Sequence, residues 1–398
     1  MRYSDKVFGL RGLIQGVEDK RERPQIPAEN IFGAGLVMAL GQLGSLNALE
    51  GLEEQGYWKR WLGANLPSAD TMGRVFSKLD ADAIRKIIKC LYSCLKRNKA
   101  LKPAYAGMIA LIIDGHESHH SRLRSCLGCL ERRLHTKDGT KLENYHRHVM
   151  AGLLCKGFCM PLDIEPQRPG EDEVSCATRL LERVLENYPR AFDLVLADGL
   201  YLRAPFVKFV LKHGKEIIVV IKDDRRELLK DAKGLFNREK PEFYLDGNVE
   251  RQCRDIEGFT SWEQLGREIR VVSSVETKHI KRQKTGKVHY ETSEWVWAGT
   301  IPKENLNTED FVKFGHDRWK IENNGFNELV NYWHMDHVYC HDPVAIETFG
   351  LLAILAYILF HAFINRNLKA VFRIKYTKKH LAQMVTAEIC PGENPIPP

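Results

Sequence analysis

Residues 108–115 read MIALIIDG, and residues 192–199 read FDLVLADG. Each stretch is a short apolar run that ends in an aspartate followed by a glycine. Apolar runs of this length are typical of strands that are buried on both faces of a sheet. We therefore predict two buried strands, each with a carboxylate at its C-terminal end, Asp114 on the first and Asp198 on the second.

The segments around these two strands complete an α/β pattern. Residues near 130–137 and 146–157 are candidates for two further strands, and residues 216–222 (EIIVVIK) for another. Apolar periodicity predicts a helix over 171–187, and Pro205 begins a second helix that stops at His213-Gly214. The order of these elements predicts a mixed sheet flanked by helices.

Outside this α/β region the sequence predicts one helical region and one β-rich region. Residues 1–104 are predicted to be helical, with Asp80 capping a helix that runs to about Asn98 and Ser68 capping a short helix that carries Arg74. This short helix could lie in a DNA groove or only pack within the domain.

Residues 223–300 are predicted to be β-rich, with strands near 269–272 and 294–297 around a basic tip. The tip residues are Lys278, Lys281, Arg282, Lys284 and Lys287. They form either a DNA-binding finger or a solvated hairpin.

Composition narrows the class of protein only moderately. The hydrophobic content of 44% and the charged content of 28% are ordinary for a globular protein. The net charge of +7 is compatible with a nucleic-acid partner, but many enzymes have a similar charge. Residues 1–30 lack the apolar region of a secretory signal. The uncharged stretch 349–364 is shorter than the roughly 20 residues that cross a bilayer, so it is predicted to be a buried core helix without a membrane partner. We expect a cytoplasmic chain whose ten cysteines stay reduced.

Carboxylates that converge on one point are what two-metal phosphodiester cleavage requires. The chain supplies them in LIIDG around Asp114, VLADG around Asp198, and RWKIEN, where Arg318 and Glu322 share one helical face. In these motifs residues 30–365 resemble the DDE transposases of bacterial insertion sequences, which have a ribonuclease-H-like fold. In that family a β insertion commonly separates the second acid from the third, and residues 223–300 match this feature.

The resemblance implies a mechanism and partners. Asp114, Asp198 and Glu322 would be the catalytic residues and would hold two Mg²⁺ ions, for which Mn²⁺ substitutes, with Asp114 bridging the two. The activity would be DNA transposition, that is, cutting and rejoining of transposon ends by hydrolysis and transesterification. Partners would be double-stranded DNA and a second copy of the chain in a synaptic dimer, associated with the bacterial nucleoid. Arg318 and Lys320 would contact DNA.

These predictions divide the chain into five segments. They are a helical DNA-binding domain (1–104), the first part of the catalytic domain (105–222), a β-rich insertion (223–300), the second part with the Glu-bearing helix (301–370) and a C-terminal tail (371–398).

Two positions depart from the signature of the family. Gly315 stands where the family has a tyrosine, and Leu329 stands where it has a lysine, and both family residues contact the transposon end. His316 or Lys320 could substitute for them. Two alternative functions therefore stay open. One is a metal-dependent nuclease that does not transpose, and the other is a domesticated DNA-binding protein without catalysis.

A second group of residues predicts a structural metal site. Cys126 and Cys129 form a CxxC pair, the spacing of two zinc ligands. His119, His120 or His135 could complete a tetrahedral Zn²⁺ site, or Cys155 and Cys159 could join it. The alternative is a pair of small buried thiols.

Overall fold

The computed structural model describes residues 2–50, 66–137, 139–222, 227–281 and 288–389. These residues form a ten-stranded mixed sheet flanked by helices, which confirms the predicted α/β class. The strands are β1 Ala110–Ser121, β2 Leu130–Thr136, β3 Gly139–Cys155, β4 Phe158–Pro166, β5 Leu194–Ala197, β6 Glu216–Val220, β7 Glu242–Asp246, β8 Val249–Phe259, β9 Ile269–Lys281 and β10 Val288–Gly299.

The helices lie before, between and after these strands. They are α1 Arg2–Phe8, α2 Leu10–Gln15, α3 Ala28–Leu40, α4 Leu46–Glu50, α5 Ala69–Phe76, α6 Ala81–Arg97, α7 Glu173–Asn187, α8 Ala204–Lys212, α9 Glu227–Phe236, α10 Thr308–Asp317, α11 Asn327–Trp333, α12 Pro343–Arg366, α13 Ala370–Lys375 and α14 Lys378–Ile389. Short 3₁₀ turns occupy Gly199–Tyr201 and Glu263–Leu265, and a π-helical turn occupies Ile321–Phe326.

The centre of the sheet is parallel and its two sides are antiparallel. β1, β5 and β6 are parallel neighbours, and β3 pairs antiparallel with the other edge of β1. The far edge of β3 pairs with β2 along its first half and with β4 along its second half. The sequence predicted β2 and most of β3, but it missed β4, which begins directly after a tight turn at Gly157.

Strand β1 is longer than predicted. The sequence placed Asp114 at the C-terminal end of its strand, whereas β1 continues to Ser121. The parallel pairing with β5 stops at Ile112, but the antiparallel pairing with β3 carries the strand on through the polar residues that follow. An apolar run marks only the part of a strand that is buried on both faces, so the extension had no signal in the hydrophobic pattern.

The β-rich insertion continues the central sheet. Its strand β10 pairs with β6, and β9, β8 and β7 follow in order. The predicted strands at 269–272 and 294–297 are confirmed as parts of β9 and β10, which pair out to Lys281 and Val288. Helix α9, which opens the insertion, was not predicted. The predicted turn at the tip, with Arg282, Lys284 and Lys287, lies outside the described residues.

The N-terminal helices share a core with α12. Ser68 and Asp80 cap α5 and α6 as predicted. The rings of Phe76 and Phe349 stack 4.1 Å apart, and Thr348 Oγ1 donates to the Phe76 carbonyl at 3.0 Å. In the described part of the chain α12 alone has the length and apolar character to cross a membrane, but 78% of its most apolar window is buried within the fold. The prediction of a buried core helix is therefore confirmed.

Candidate active site

Two neighbouring parallel strands bring Asp114 and Asp198 to the same edge of the sheet. In the register between β1 and β5, Ile112 pairs with Leu196. Asp114 and Asp198 each follow two residues later, on strands that lie about 4.8 Å apart. Asp198 caps the 3₁₀ turn that follows β5 and accepts a hydrogen bond from the Leu200 amide at 2.7 Å. The two predicted acids are therefore neighbours in space.

The glycine after each aspartate leaves room for another group. A Cβ atom on Gly115 would lie 2.6 Å from the carboxyl carbon of Glu173, and a Cβ on Gly199 would lie 2.9 Å from the Val220 carbonyl oxygen. The contact at Gly199 is with the backbone and leaves no room for a side chain, whereas a side chain at position 115 would force the Glu173 carboxylate to move away. Glycine at both positions thus allows the Glu173 carboxylate and strand β6 to approach the two aspartates closely.

Glu173 is a fourth acid that the sequence reasoning did not identify. Its carboxylate accepts a hydrogen bond from the buried Tyr201 hydroxyl at 2.8 Å and pairs with Arg147 Nη1 at 3.4 Å. Glu173 is the first residue of α7, where an acidic residue ordinarily complements the helix dipole. Nothing in the sequence therefore separated it from a normal helix-start residue.

The environment of Asp114 disfavours its charged form. Burial raises the pKa of Asp114 to about 6; the neighbouring Arg318 guanidinium opposes this rise, whereas the charges of Asp198 and Glu173 add to it. Arg318 Nη1 donates to Asp114 Oδ2 at 3.1 Å, and the Arg318 side chain is only 4% exposed. The cluster is thus a concentration of negative charge that Arg318, at Asp114, and Arg147, at Glu173, compensate in part.

Asp198 has a different electrostatic environment. Burial alone would raise its pKa, but the hydrogen bonds from the Leu200 amide and from Lys222 Nζ, at 2.9 Å, outweigh burial and hold the pKa below its usual range. The half-buried Trp319 ring contacts both cations, with its centroid 4.5 Å from the Arg318 guanidinium carbon and 5.9 Å from Lys222 Nζ. These cation–π contacts help to position the two cations that face the aspartates.

Glu322 lies one helical turn beyond Arg318, in the π-helical turn Ile321–Phe326. Its side chain is exposed. Four residues of helix span about 6 Å along the axis, so Glu322 follows closely on the residue that contacts Asp114. Single π-turns within helices occur frequently at functional sites. Asp114, Asp198, Glu173 and Arg318 therefore lie close enough to interact by direct contact or by charge. Glu322 is on the same helical segment as Arg318, but its side chain is exposed to solvent.

A family model described as the transposase DDE domain matches residues 106–359, which is more than half of the 398-residue chain. The chain belongs to the DDE transposase family. The mixed sheet flanked by helices agrees with the ribonuclease-H-like fold of such transposases, so the predicted resemblance and fold are confirmed. A comparison with curated proteins finds no match.

Core packing explains both departures of this transposase from the family signature. A Cβ atom on Gly315 would lie 2.6 Å from the indole ring of the fully buried Trp297, so a tyrosine at this position would require Trp297 to repack. Leu329 is fully buried in α11, where an unpaired lysine would be costly. Both positions therefore serve packing in this chain.

Gly315 gives a prediction for stability. We expect Gly315→Ala to lower the free energy of unfolding by about 1–3 kcal/mol, because the added methyl group overpacks the contact with Trp297. Gly234→Ala in helix α9 is the matched control, since its Cβ would meet nothing within 4 Å. The control should be neutral or stabilising by up to about 1 kcal/mol. Urea denaturation followed by circular dichroism measures both, and equal stability of the two variants would contradict the clash.

The predicted DNA-contacting side chains are dispersed over the surface. Arg74 is exposed and shares a surface cavity of about 350 Å³ with Arg21 and Lys78. Lys278 is exposed on β9, and Lys320 pairs with Asp317 at 2.6 Å. Lys281 ends β9, whereas the rest of the basic tip lies outside the described residues. Arg318 is buried against Asp114 and does not face solvent.

The CxxC pair belongs to a cluster that shares no residue with the acidic site. Cys126 and Cys129 meet His146 of β3 and His341, which precedes α12. His341 and His146 were not among the residues that the sequence suggested. Of the suggested histidines, His119 interacts with Ser118, His120 with Glu143 and Arg132, and His135 with Thr140. Cys155 and Cys159 are buried at the far end of the β3–β4 pair.

Proposed function

We propose that this protein cuts and rejoins DNA at transposon ends, with Asp114, Asp198 and Glu322 as its catalytic acids. The observation that supports this proposal best is the pair Asp114 and Asp198, adjacent on parallel strands within a half-buried acidic cluster. Family membership makes DNA transposition the natural activity for such a cluster. The metal dependence, the strand-transfer step and the synaptic dimer are parts of the proposal.

The donor set fits divalent cations. Mg²⁺ prefers carboxylate oxygens and usually takes one or two of them per ion, with waters. Asp114 is surrounded by the charges of Asp198 and Glu173, so a cation bound among them would favour its charged form. Asp114, Asp198 and Glu322 are the residues that would hold the ions. Two such ions lower the pKa of an attacking water and stabilise the attacking and leaving oxygens of an in-line displacement.

The cations of the chain have supporting roles in this proposal. Arg318 donates to Asp114 and fixes the orientation of its carboxylate. Lys222, which is half exposed, pairs with Asp198 and can move to a phosphate oxygen when DNA enters. The exposed Arg74, with Arg21 and Lys78 beside it, and the basic residues of the insertion would contact the DNA backbone. Binding through these groups should weaken as salt rises.

The test uses a supercoiled plasmid that carries the native DNA flanking the gene. The purified protein is incubated with it in Mg²⁺ or Mn²⁺, and the cut ends are mapped by sequencing. Metal-dependent cuts at terminal inverted repeats, followed by joining to a second DNA, would support a transposase. Cuts without end preference would support the nuclease instead. Binding without any cut would overturn the catalytic proposal and favour a DNA-binding protein.

The nuclease is the second candidate function. Gly315 and Leu329 stand at positions where the family has residues that contact the transposon end. In this chain Gly315 packs against Trp297 and Leu329 is fully buried. A protein without these two DNA contacts could keep metal-dependent cleavage and lose specific recognition of the transposon ends. Equal affinity for inverted-repeat DNA and for a scrambled duplex of the same length would favour this candidate.

The two glutamates near the site give a prediction that separates their roles. We expect Glu322→Gln to lower the cleavage rate by about 10³-fold, since it removes a metal ligand. We expect Glu173→Gln to lower the rate by about 10–100-fold and to raise the Mg²⁺ concentration required, because Glu173 acts on Asp114 through its charge and position. Titrations of cleavage rate against Mg²⁺ measure both effects.

Glu182→Gln is the matched control for Glu173→Gln. Glu182 is exposed on the same helix α7, and its substitution should leave the rate and the Mg²⁺ dependence unchanged. If Glu173→Gln abolished cleavage while Glu322→Gln left it intact, the third acid would be Glu173 and the assignment of Glu322 would be wrong.

A further inference from the structure

Four potential metal ligands converge from three separate parts of the fold. Cys126 and Cys129 belong to the turn between β1 and β2, where the Cys129 amide donates to the Cys126 carbonyl at 3.1 Å. His146 lies in the middle of β3, and His341 lies just before α12. Cys129 and His341 are 212 residues apart in the chain, yet Cys129 Sγ lies 3.4 Å from His341 Nε2. The donor atoms of all four side chains lie within 4.8 Å of one another.

Four of the six separations between the donors match a tetrahedron around one ion. At the usual Zn–S length of 2.3 Å and Zn–N length near 2.0 Å, two sulfurs would lie about 3.8 Å apart, and a sulfur and a nitrogen about 3.5 Å apart. The two Sγ atoms are 3.7 Å apart. His146 Nε2 lies 3.4 Å from Cys126 Sγ and 3.3 Å from Cys129 Sγ. The side chains are thus already arranged as ligands rather than as a disulfide.

The chemistry of the donors selects the ion. Two thiolates and two imidazoles in tetrahedral geometry favour Zn²⁺ over the hard cations that the carboxylate site would bind. All four positions are filled by protein side chains, which is the arrangement of a structural rather than a catalytic zinc site. The Cys126 amide also donates to Cys129 Sγ at 3.2 Å, which orients this sulfur toward the cluster.

We propose that Cys126, Cys129, His146 and His341 bind one structural Zn²⁺ ion that joins the β1–β2 turn and strand β3 to the start of helix α12. The joined segment 334–342 directly follows α11, which continues from the π-turn that carries Glu322. Zinc would therefore hold the end of this helical segment against the sheet that carries Asp114. The proposal does not depend on the activity of the protein, and its test reads metal content and stability.

The first experiment measures zinc in the full-length protein, purified without a metal-affinity tag. Elemental analysis should find about one zinc per chain. The variants Cys129→Ser and His341→Gln should lose it. Cys155→Ser and His135→Gln are matched controls, because they change a buried cysteine and a nearby histidine outside the cluster, and they should keep it. Absence of zinc from wild type, or its retention in Cys129→Ser, would overturn the proposal.

The second experiment remains decisive even if a cysteine variant does not fold. Wild-type protein is stripped with a chelator and reloaded with Co²⁺. We expect the visible bands of tetrahedral cobalt and the near-ultraviolet absorption of cobalt–thiolate bonds, and we expect both to be lost or altered in His341→Gln. Chelation should also lower the melting temperature, and added Zn²⁺ should restore it. An unchanged melting temperature with no cobalt–thiolate absorption would overturn the proposal.

Discussion

Replacing Asp198 with alanine is expected to reduce metal-dependent DNA cleavage by at least about 10³-fold, the scale of several kcal/mol of lost transition-state stabilisation. Asp198 lies beside Asp114 across parallel strands, and its carboxylate already exists in the charged form because its pKa is below the usual range. Its removal would leave one of the two proposed ions with too few ligands. The measurement is the initial rate of plasmid cleavage in Mg²⁺.

Alanine also removes the hydrogen bond to the Leu200 amide, so a local folding defect must be separated from lost chemistry. Asp198→Asn keeps an oxygen that can accept this bond and loses only the negative charge. It should be as inactive as Asp198→Ala but should melt closer to wild type, because it loses only the half-exposed ion pair with Lys222. Asp231→Asn, at an exposed position of α9, is the matched control and should cleave normally. Full cleavage by Asp198→Asn would contradict a metal ligand at this position.

The parts of this site that the sequence predicted are those that local pattern encodes. A buried parallel strand needs a continuous apolar run, so the runs that lead to Asp114 and Asp198 were correctly predicted as strands, although β1 continues past Asp114. Caps such as Ser68 and Asp80 are also local signals, because the side chain bonds an amide two or three residues away. These features could be predicted without knowledge of the tertiary fold.

The parts that were missed depend on contacts between distant segments. Glu173 reaches the acids only because α7 begins beside Gly115, and His341 reaches Cys129 only because α12 starts against the β1–β2 turn. Neither residue differs locally from an ordinary helix-start or loop residue. The long polar half of β1 was missed for the same reason, since β3 rather than its own hydrophobicity stabilises it. The periodicity of a sequence does not predict contacts between distant segments.

Replacing Arg270 with alanine is expected to lower the free energy of unfolding by about 3–5 kcal/mol, because it leaves the Asp255 carboxylate buried without its partner. The two side chains are each 2% exposed. Arg270 Nε and Nη2 donate to the two Asp255 oxygens at 2.8 and 2.6 Å, and Nη1 donates to the Leu306 carbonyl at 2.7 Å. No other pair in the described part of the chain joins two ionised side chains as completely buried as these.

The double variant Arg270→Met with Asp255→Leu tests the cause. It removes both charges and fills a similar volume, so it should recover most of the stability that Arg270→Ala loses. Urea denaturation monitored by circular dichroism measures all three proteins. A double variant as unstable as the single one would mean that the packing of Arg270 over Phe311, 4.6 Å away, matters more than the buried charge.

The Asp255–Arg270 pair is connected to the helix that leads to the active site. Asp255 and Arg270 belong to β8 and β9 of the insertion, and the Thr308 hydroxyl at the start of α10 donates to Asp255 at 2.7 Å. Helix α10 then runs directly to Arg318, which contacts Asp114. We therefore expect Arg270→Ala to lose cleavage activity at a lower temperature than wild type. Loss of stability without this earlier loss of activity would show that the insertion does not support the helix that carries Arg318.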